Sequence, residues 1–486
     1  MKTVLVATIG TRDLMLQISS GLWYNIGDDR MRDGDIIGEQ AEVLSDLGLS
    51  TTTYRDLTQY LLEQIEQYRD RLKPIILGKL LDEKATDIEK IYLIGTNQNS
   101  EVSEREKDTL YTCKLIGAWL EYNHQISVEI IYIGTEGTNP SNFEQMFRWW
   151  QQTWRKTILV KPERPIWICL KGGVGQASEA LRISGLSLYG ERVQFFEFKQ
   201  NTKANRRGIP SDYSGPFPGT NYLWDRTQQQ ALRLLDRYDY AGAYDLLKPY
   251  FQQDPAGFSA VPILVKAGTA WNQGEFETFF KLAKNSLNTS EQKRDNTWWW
   301  MAYEQAQLGV IRLQQKNTVE AMLHSFRAVE GLLWEWAIET FPNDVKAQSD
   351  QYPLLLPSIL QKYPSLRDSY NHQKLQQTSK VYLRGRLLQE LLEAAIPGIV
   401  NGNDFRVFWK AARDKRNELS HRLGGLSEEK VFKAWGQDIH NSNQWETRIF
   451  KCLNLVTEQN FKSLSQASLF KKIHFMVVKV IASYQP

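Results

Sequence analysis

Ile166-Trp167-Ile168-Cys169-Leu170-Lys171-Gly172-Gly173-Val174-Gly175-Gln176 reads as three things in succession: an unbroken apolar run, a glycine-rich turn, and the opening of the helix-like segment Gln176–Leu188. An unbroken run, rather than an alternating one, marks a strand buried on both faces, as in a parallel sheet covered by helices. Outward from it the same unit recurs. Val4–Ile9 runs into Gly10-Thr11-Arg12, Ile91–Ile94 into Gly95-Thr96-Asn97-Gln98-Asn99, and Val128–Ile133 into Gly134-Thr135-Glu136. A fifth run is Val193–Phe198, and the helix-like segments Glu104–Tyr122 and Asn142–Trp154 fill gaps between runs.

This β-α alternation predicts an α/β, Rossmann-like N-terminal domain with a parallel-type sheet over 1–205. In such sheets ligands bind beyond the carboxyl ends of the strands, where these four turns gather. Thr11, Arg12, Thr96, Asn97, Gln98, Lys171, Gly172, Gly173, Gly175 and Gln176 are therefore the candidate ligand residues. A helix N-terminus behind glycines suits a phosphate, because backbone N–H groups are exposed there and no Cβ obstructs approach. Two other readings of this loop remain: glycines serving a tight turn alone, or a dinucleotide site. Against the latter, Gly173-x-Gly175-x-x-Ser178 departs from the fingerprint at its last position and follows a late strand. No Gly-x4-Gly-Lys-Ser/Thr phosphate loop occurs.

Beyond the sheet the pattern changes. Residues 206–221, rich in Gly, Pro, Ser and Asn, read as a linker. Helical periodicity then takes over, predicting a helical connector over 222–317 and a helical bundle over 318–486. Only one helical-hairpin-like unit, Ala231–Leu247, stands out, so a repeat solenoid is unsupported.

Composition narrows the class. The 486 residues carry 59 Lys+Arg against 56 Asp+Glu, a net charge of +3, so a nucleic acid must meet a local basic patch. Three cysteines, Cys113, Cys169 and Cys452, match neither a disulfide framework nor a zinc site and point to a reducing cytoplasm. No signal-peptide pattern opens the chain, and no apolar run approaches the ~20 residues that cross a membrane. A soluble, cytoplasmic protein with no membrane partner is expected.

The chemistry is concentrated in Arg413-Asp414-Lys415-Arg416-Asn417-Glu418-Leu419-Ser420-His421-Arg422, an amphipathic helix end stopped by Gly424-Gly425. Asn417 and His421 share a face. Arg416, five residues before His421, diverges from it by more than a third of a turn on one ideal helix. The two converge better if the last turn distorts or if two copies meet in a dimer. Such groups suit RNA cleavage, in which the ribose 2′-OH attacks its own phosphate. Histidine exchanges protons near neutrality, and arginine supplies fixed donors to phosphate oxygens. The plainer reading is a solvated, charged helix end. His124, His372, His440 and His474 lack ligand partners in sequence, so no metal site is expected. His324 reads as a packing residue that could flank the ribonuclease site, Trp298-Trp299-Trp300 as core rather than a base-stacking set, and Arg384 and Arg386 as a solvated face rather than an RNA-facing surface.

Arg416-Asn417-x3-His421 resembles the Arg-x4–6-His signature of HEPN ribonucleases. Glu320-Ala321, His324, Phe326-Arg327 and Val329–Leu333 resemble the first long helix of that bundle. With the sheet in front, the architecture is similar to the CARF–HEPN ribonucleases of type III CRISPR systems. The resemblance implies a homodimer in which 1–205 is a CARF-like sensor of cyclic oligoadenylate, the tetra-adenylate ring favoured over the hexa-adenylate. It implies an HEPN domain over 318–486 acting as an endoribonuclease on single-stranded RNA in antiviral defence, with Arg416, Asn417 and His421 catalytic. No metal or other cofactor is implied, and 2′-OH attack leaves a 2′,3′-cyclic phosphate. Thr11, Thr96 and Asn97 either bind the activator or also orient its 2′-OH for ring-nuclease cutting. Two alternatives stay open: a CARF regulator acting through a partner, and an HEPN toxin of a toxin–antitoxin pair.

Overall fold

The computed structural model describes residues 2–31, 34–348, 351–376, 380–399, 402–421 and 424–485; the side chains of 376, 403 and 419–421 lie outside the description. The chain forms two compact units, Met1–Asp225 and Arg226–Pro486.

All five apolar runs are strands of one sheet. In chain order the strands of the first unit are β1 (Thr3–Thr8), β2 (Leu14–Gln17), β3 (Trp23–Asn25), β4 (Leu72–Pro74), β5 (Ile88–Thr96), β6 (Ser127–Ile133), β7 (Ile166–Cys169), β8 (Val193–Lys199) and β9 (Asp212–Pro218). The main sheet has the order β6-β5-β1-β7-β8-β9. Its first five strands are parallel and β9 joins β8 antiparallel. Strands β3-β2-β4 make a small separate antiparallel sheet.

Strand β1 shows why the runs are unbroken. Leu5 and Ala7 enter a core shared with Cys113, Ile116 and Leu120 of the Leu110–His124 helix. Val4 and Val6 enter another, with Trp150 and Trp154 of the Phe143–Lys156 helix and Ala180 and Leu181 of the Gly175–Tyr189 helix. Alternate side chains point to opposite faces, and both faces here need apolar groups. The chain leaves β1 for β5 and β6 on one side and returns to β7 and β8 on the other. This reversal is the switch point of a doubly wound sheet.

Residues 206–221, expected as a linker, instead contain β9. Its Gly215-Pro216 resembles loop sequence, but an edge strand tolerates proline because one of its sides makes no ladder bonds. The first unit accordingly runs past 205.

The second unit is mostly helical, and the expected boundary at 317/318 does not divide it. The Trp300–Gln314 and Thr318–Thr340 helices pack against each other in one core, where Tyr303, Ala306, Val310 and Leu313 meet Ala321, Met322, Phe326 and Val329. The terminal Leu469–Ser483 helix returns to the connector, stacking Phe470 on Trp271 at 3.7 Å. Buried Glu304 accepts hydrogen bonds from Trp271 Nε1 at 2.8 Å and Ser468 Oγ at 2.7 Å, joining the same parts. Trp298 and Trp299 sit in the turn before the helix rather than within it; Trp300 is buried and Trp299 packs on Tyr303 and Phe461.

Candidate functional site

The ends of β1, β5 and β6 surround a cavity of about 570 Å³ in the first unit. Thr11, Thr96, Gln98 and Gly173 line it, together with Asn99, Lys107, Thr109 and the 137–141 turn. The wall is held by polar bonds. Thr96 N–H donates to Thr109 Oγ1 at 3.0 Å, and Thr109 N–H donates back to Thr96 Oγ1 at 3.1 Å. Gln98 gives its backbone N–H and its amide to the buried carboxylate of Asp108, at 2.6 and 3.1 Å. Arg55 bridges Asp108 at 2.9 Å and Asn97 Oδ1 at 3.0 Å.

The other expected residues lie elsewhere. Arg12 stands 3.6 Å from Asp28, and Asn97 spends its side-chain oxygen on Arg55. Lys171, Gly172, Gly175 and Gln176 do not line the cavity. Gly172 has a packing reason, since a Cβ there would come within 2.0 Å of Asp13 Oδ2. Gly10 has one too: its Cβ would stand 2.6 Å from Gly173 N, so the loops after β1 and β7 touch at the switch point.

Asp13 lies beneath that contact. It is buried, accepts from Gly10 N–H at 2.7 Å, and burial pushes its carboxyl up to about 7 despite that bond and the Lys171 charge. Sequence reading missed Asp13, Asp108, Lys107 and Thr109. The last three fall in a segment that reads as a helix from Glu104, whereas the α-helix starts at Leu110.

In the second unit the motif helix is built in three parts. Asn403–Val407 is α-helical, Phe408–Ala412 is a π turn, and Arg413–His421 is α-helical again. A π turn holds about one residue more than an α turn, so it rotates the downstream Arg413–His421 segment by roughly 100°. The distortion thus precedes Arg416 instead of falling between Arg416 and His421. Phe408 stacks on Phe326 at 4.8 Å, and the Arg416 guanidinium lies over the same Phe326 ring at 4.5 Å. Arg416 Nη2 is 3.5 Å from Glu330. Burial raises the Glu330 carboxyl above its usual range and Arg416 pulls it down. Arg448, itself buried, secures the helix start by an ion pair of 2.6 Å to Asp404.

Arg416 and Asn417 open on a groove of about 710 Å³ that Arg413, Arg384, Arg386 and His372 also line. His421 ends the helix, and its side chain lies outside the described residues. The sequence offers Arg384 and Arg386 as an RNA-facing surface but favours a solvated face, and His372, set aside there for want of partners, is the residue it misses. They come from the Arg367–Gln376 helix and the start of the Gly385–Ala395 helix, and only packing brings them to the motif. His324 lines neither groove nor cavity; it bonds Gln305, and burial lowers its imidazole to about 4, so it packs as a neutral ring. Four guanidinium groups line this groove beside the carboxylates of Glu330 and Asp368, an arginine-rich patch that the near-neutral composition conceals. Such a patch can hold consecutive phosphates. Among the described residues no group of three or more His, Cys, Asp or Glu is placed to hold a metal ion, and no helix is long and apolar enough to cross a membrane.

No family model matches the chain, and no curated protein matches it in sequence. The fold does have a solved counterpart. Csm6 of Enterococcus italicus, bound to cyclic hexa-2′-fluoro-hexa-dAMP, superposes with a TM-score of 0.61 over 99% of this chain and 100% of that chain, at 11% identity. The likeness is one of fold.

Proposed function

We propose that this chain is an endoribonuclease switched on by a cyclic oligoadenylate: a CARF-like sensor in the first unit and an HEPN site on the Arg413–His421 helix. One observation carries the reading. A fold shared nearly end to end with an adenylate-ring-bound Csm6 gathers Arg416, Asn417 and three further arginines around one groove. Csm6 is itself a CARF–HEPN protein of type III CRISPR systems, which supports assigning this chain to the same antiviral defence.

On this reading the activator occupies the strand-end cavity. Thr11, Thr96, Gln98 and Gly173 contact it, Arg12, Asn97, Gly172, Gly175 and Gln176 shape the surrounding loops, and Lys171 adds positive charge. The enzyme is a homodimer whose two-fold axis matches that of an even-membered ring, so each protomer meets half the ring equivalently. The four-membered ring is favoured over the six-membered.

At the other site Arg416 and its neighbours hold the scissile phosphate of single-stranded RNA. His421 exchanges the proton of the attacking 2′-OH or of the leaving 5′-oxygen, and Asn417 supports the pair. The nucleophile is the substrate's own hydroxyl, so the reaction runs without a metal and leaves a 2′,3′-cyclic phosphate.

The test is cleavage of a fluorogenic single-stranded RNA, titrated with synthetic rings of three to six adenylates. Strong stimulation by an even-membered ring is expected. Cleavage indifferent to every ring would leave a nuclease without this sensor, and no cleavage under any ring would leave a sensor acting through a partner.

A further inference from the structure

A second, larger cavity of about 830 Å³ adjoins the arginine groove, and the two share Glu330, Tyr352 and Arg416 in their walls. Its character is different. Trp298, Trp334 and Tyr352 line it beside Phe326, whose ring is already covered by Phe408 and Arg416, with Arg327 and Glu335 in the same wall. Trp334 and Tyr352 meet edge to face at 5.1 Å, and Arg384 lies over the Tyr352 ring at 5.3 Å. The indole Nε1 of Trp334 is buried and has no hydrogen-bond partner among the described residues. A buried donor left unpaired is costly, and the cost falls away when a ligand brings an acceptor. Gly331, one turn from Arg327, opens the cavity: a Cβ added there would meet nothing within 4 Å.

We infer that this cavity receives one unstacked base of the RNA, next to the phosphate held at Arg416. The inference rests on the proposed ribonuclease reading and adds a base subsite to it. Aromatic faces stack any base, and cationic neighbours track the backbone on either side, which is how single strands are held without extensive sequence readout. A small turn of the Trp334 indole, whose Nε1 is closed to solvent, then lets its N–H meet a base carbonyl or ring nitrogen. The continuous wall from aromatic cavity to arginine groove sets base and phosphate on the same nucleotide or on adjacent ones.

The test uses the full-length chain and a labelled 2′-O-methyl RNA of about ten nucleotides, which lacks the attacking hydroxyl. An abasic residue is walked along it and affinity is read by anisotropy. In the wild type, one position should weaken binding roughly tenfold when its base is removed. Trp334→Leu should bind the intact strand roughly tenfold more weakly and lose that position dependence. Gly331→Leu fills the cavity from a helix position with room for a side chain, and leucine is the better helix former; it should behave in the same way. Equal sensitivity to the abasic residue at all positions, or the same position dependence in wild type and both variants, would overturn the base subsite. Cleavage is a separate readout, made with ordinary RNA, and its absence strikes the catalytic reading without altering the binding pattern.

Discussion

Glu330 stands 3.5 Å from the guanidinium of Arg416, one helical turn beyond the Phe326 ring that the same guanidinium covers. The carboxylate and the ring hold a long side chain that would otherwise sample many rotamers, so its donors are aimed before any phosphate arrives. Arg416→Ala should therefore lower kcat/KM for RNA by about a hundredfold or more, the scale of losing a positioned oxyanion donor. His421→Ala should do likewise. Glu330→Gln keeps the shape and loses the charge, and should cost about tenfold. Activator affinity should stay unchanged in all three, measured by calorimetry with the adenylate rings. RNA cleavage near the wild-type rate by Arg416→Ala would remove it from the site.

Cleavage should survive excess EDTA. The proposed nucleophile is the substrate's own 2′-OH, and its activation is assigned to His421 and arginine rather than to a metal-bound water. Complete loss restored only by added Mg²⁺ or Mn²⁺ would reject this mechanism.

On the sensor side, Lys107 lines the strand-end cavity whereas Lys171 acts electrostatically on Asp13 behind it. Lys107→Ala should shift the activation curve to about fivefold higher ligand, as loss of one charge-assisted contact predicts. Lys171→Ala should shift it less, with the rate at saturation near normal in both. A larger shift for Lys171→Ala would relocate the ligand toward the glycine loop.

Asp13 predicts a pH dependence of stability. Its folded pKa of about 7 lies above the ordinary 3.8, so between these values the folded state binds more protons than the unfolded one. Its contribution is most favourable below pH 3.8 and is lost as pH rises toward 7. Asp13→Asn, which keeps an acceptor for Gly10 N–H, should raise stability at pH 8 by at most about 4 kcal/mol, at one pKa unit per 1.36 kcal/mol. The gain should shrink by pH 5. In the second unit the neutral His324, lowered to about 4, works with the opposite sign, losing stability as pH falls below 6.5. Equal gains at both pH values in scanning calorimetry would contradict an ionising Asp13.

Arg448→Met should destabilise the second unit by about 3 kcal/mol in urea unfolding, because Asp404 is left partly buried without its partner. A change under about 1 kcal/mol would show that water replaces the pair.

Much of the first unit was legible in the residues themselves. A strand covered on both faces requires apolar side chains at every position, so Val4–Ile9 or Ile166–Leu170 announces its environment without reference to any other part of the chain. The turns after those strands marked the carboxyl edge, and Thr11, Thr96, Gln98 and Gly173 do meet there in one cavity. Strand β9 was not legible, because Gly215 and Pro216 carry a loop signature and only pairing with β8 makes that segment a strand.

What the sequence by itself determined was local: runs, turns, helix periodicity, and the Arg416-Asn417-x3-His421 spacing within one helix. Only the tertiary structure decided which distant groups join them. Arg384, Arg386 and His372 reach the motif, Arg12 turns to Asp28, and Asp13 is buried beneath two glycine loops. The physical reason is range. Backbone conformation and burial pattern are set by near neighbours, whereas an arginine-rich groove or a buried carboxyl arises when several elements pack together, and no spacing along the chain records which side chains that packing will bring within reach.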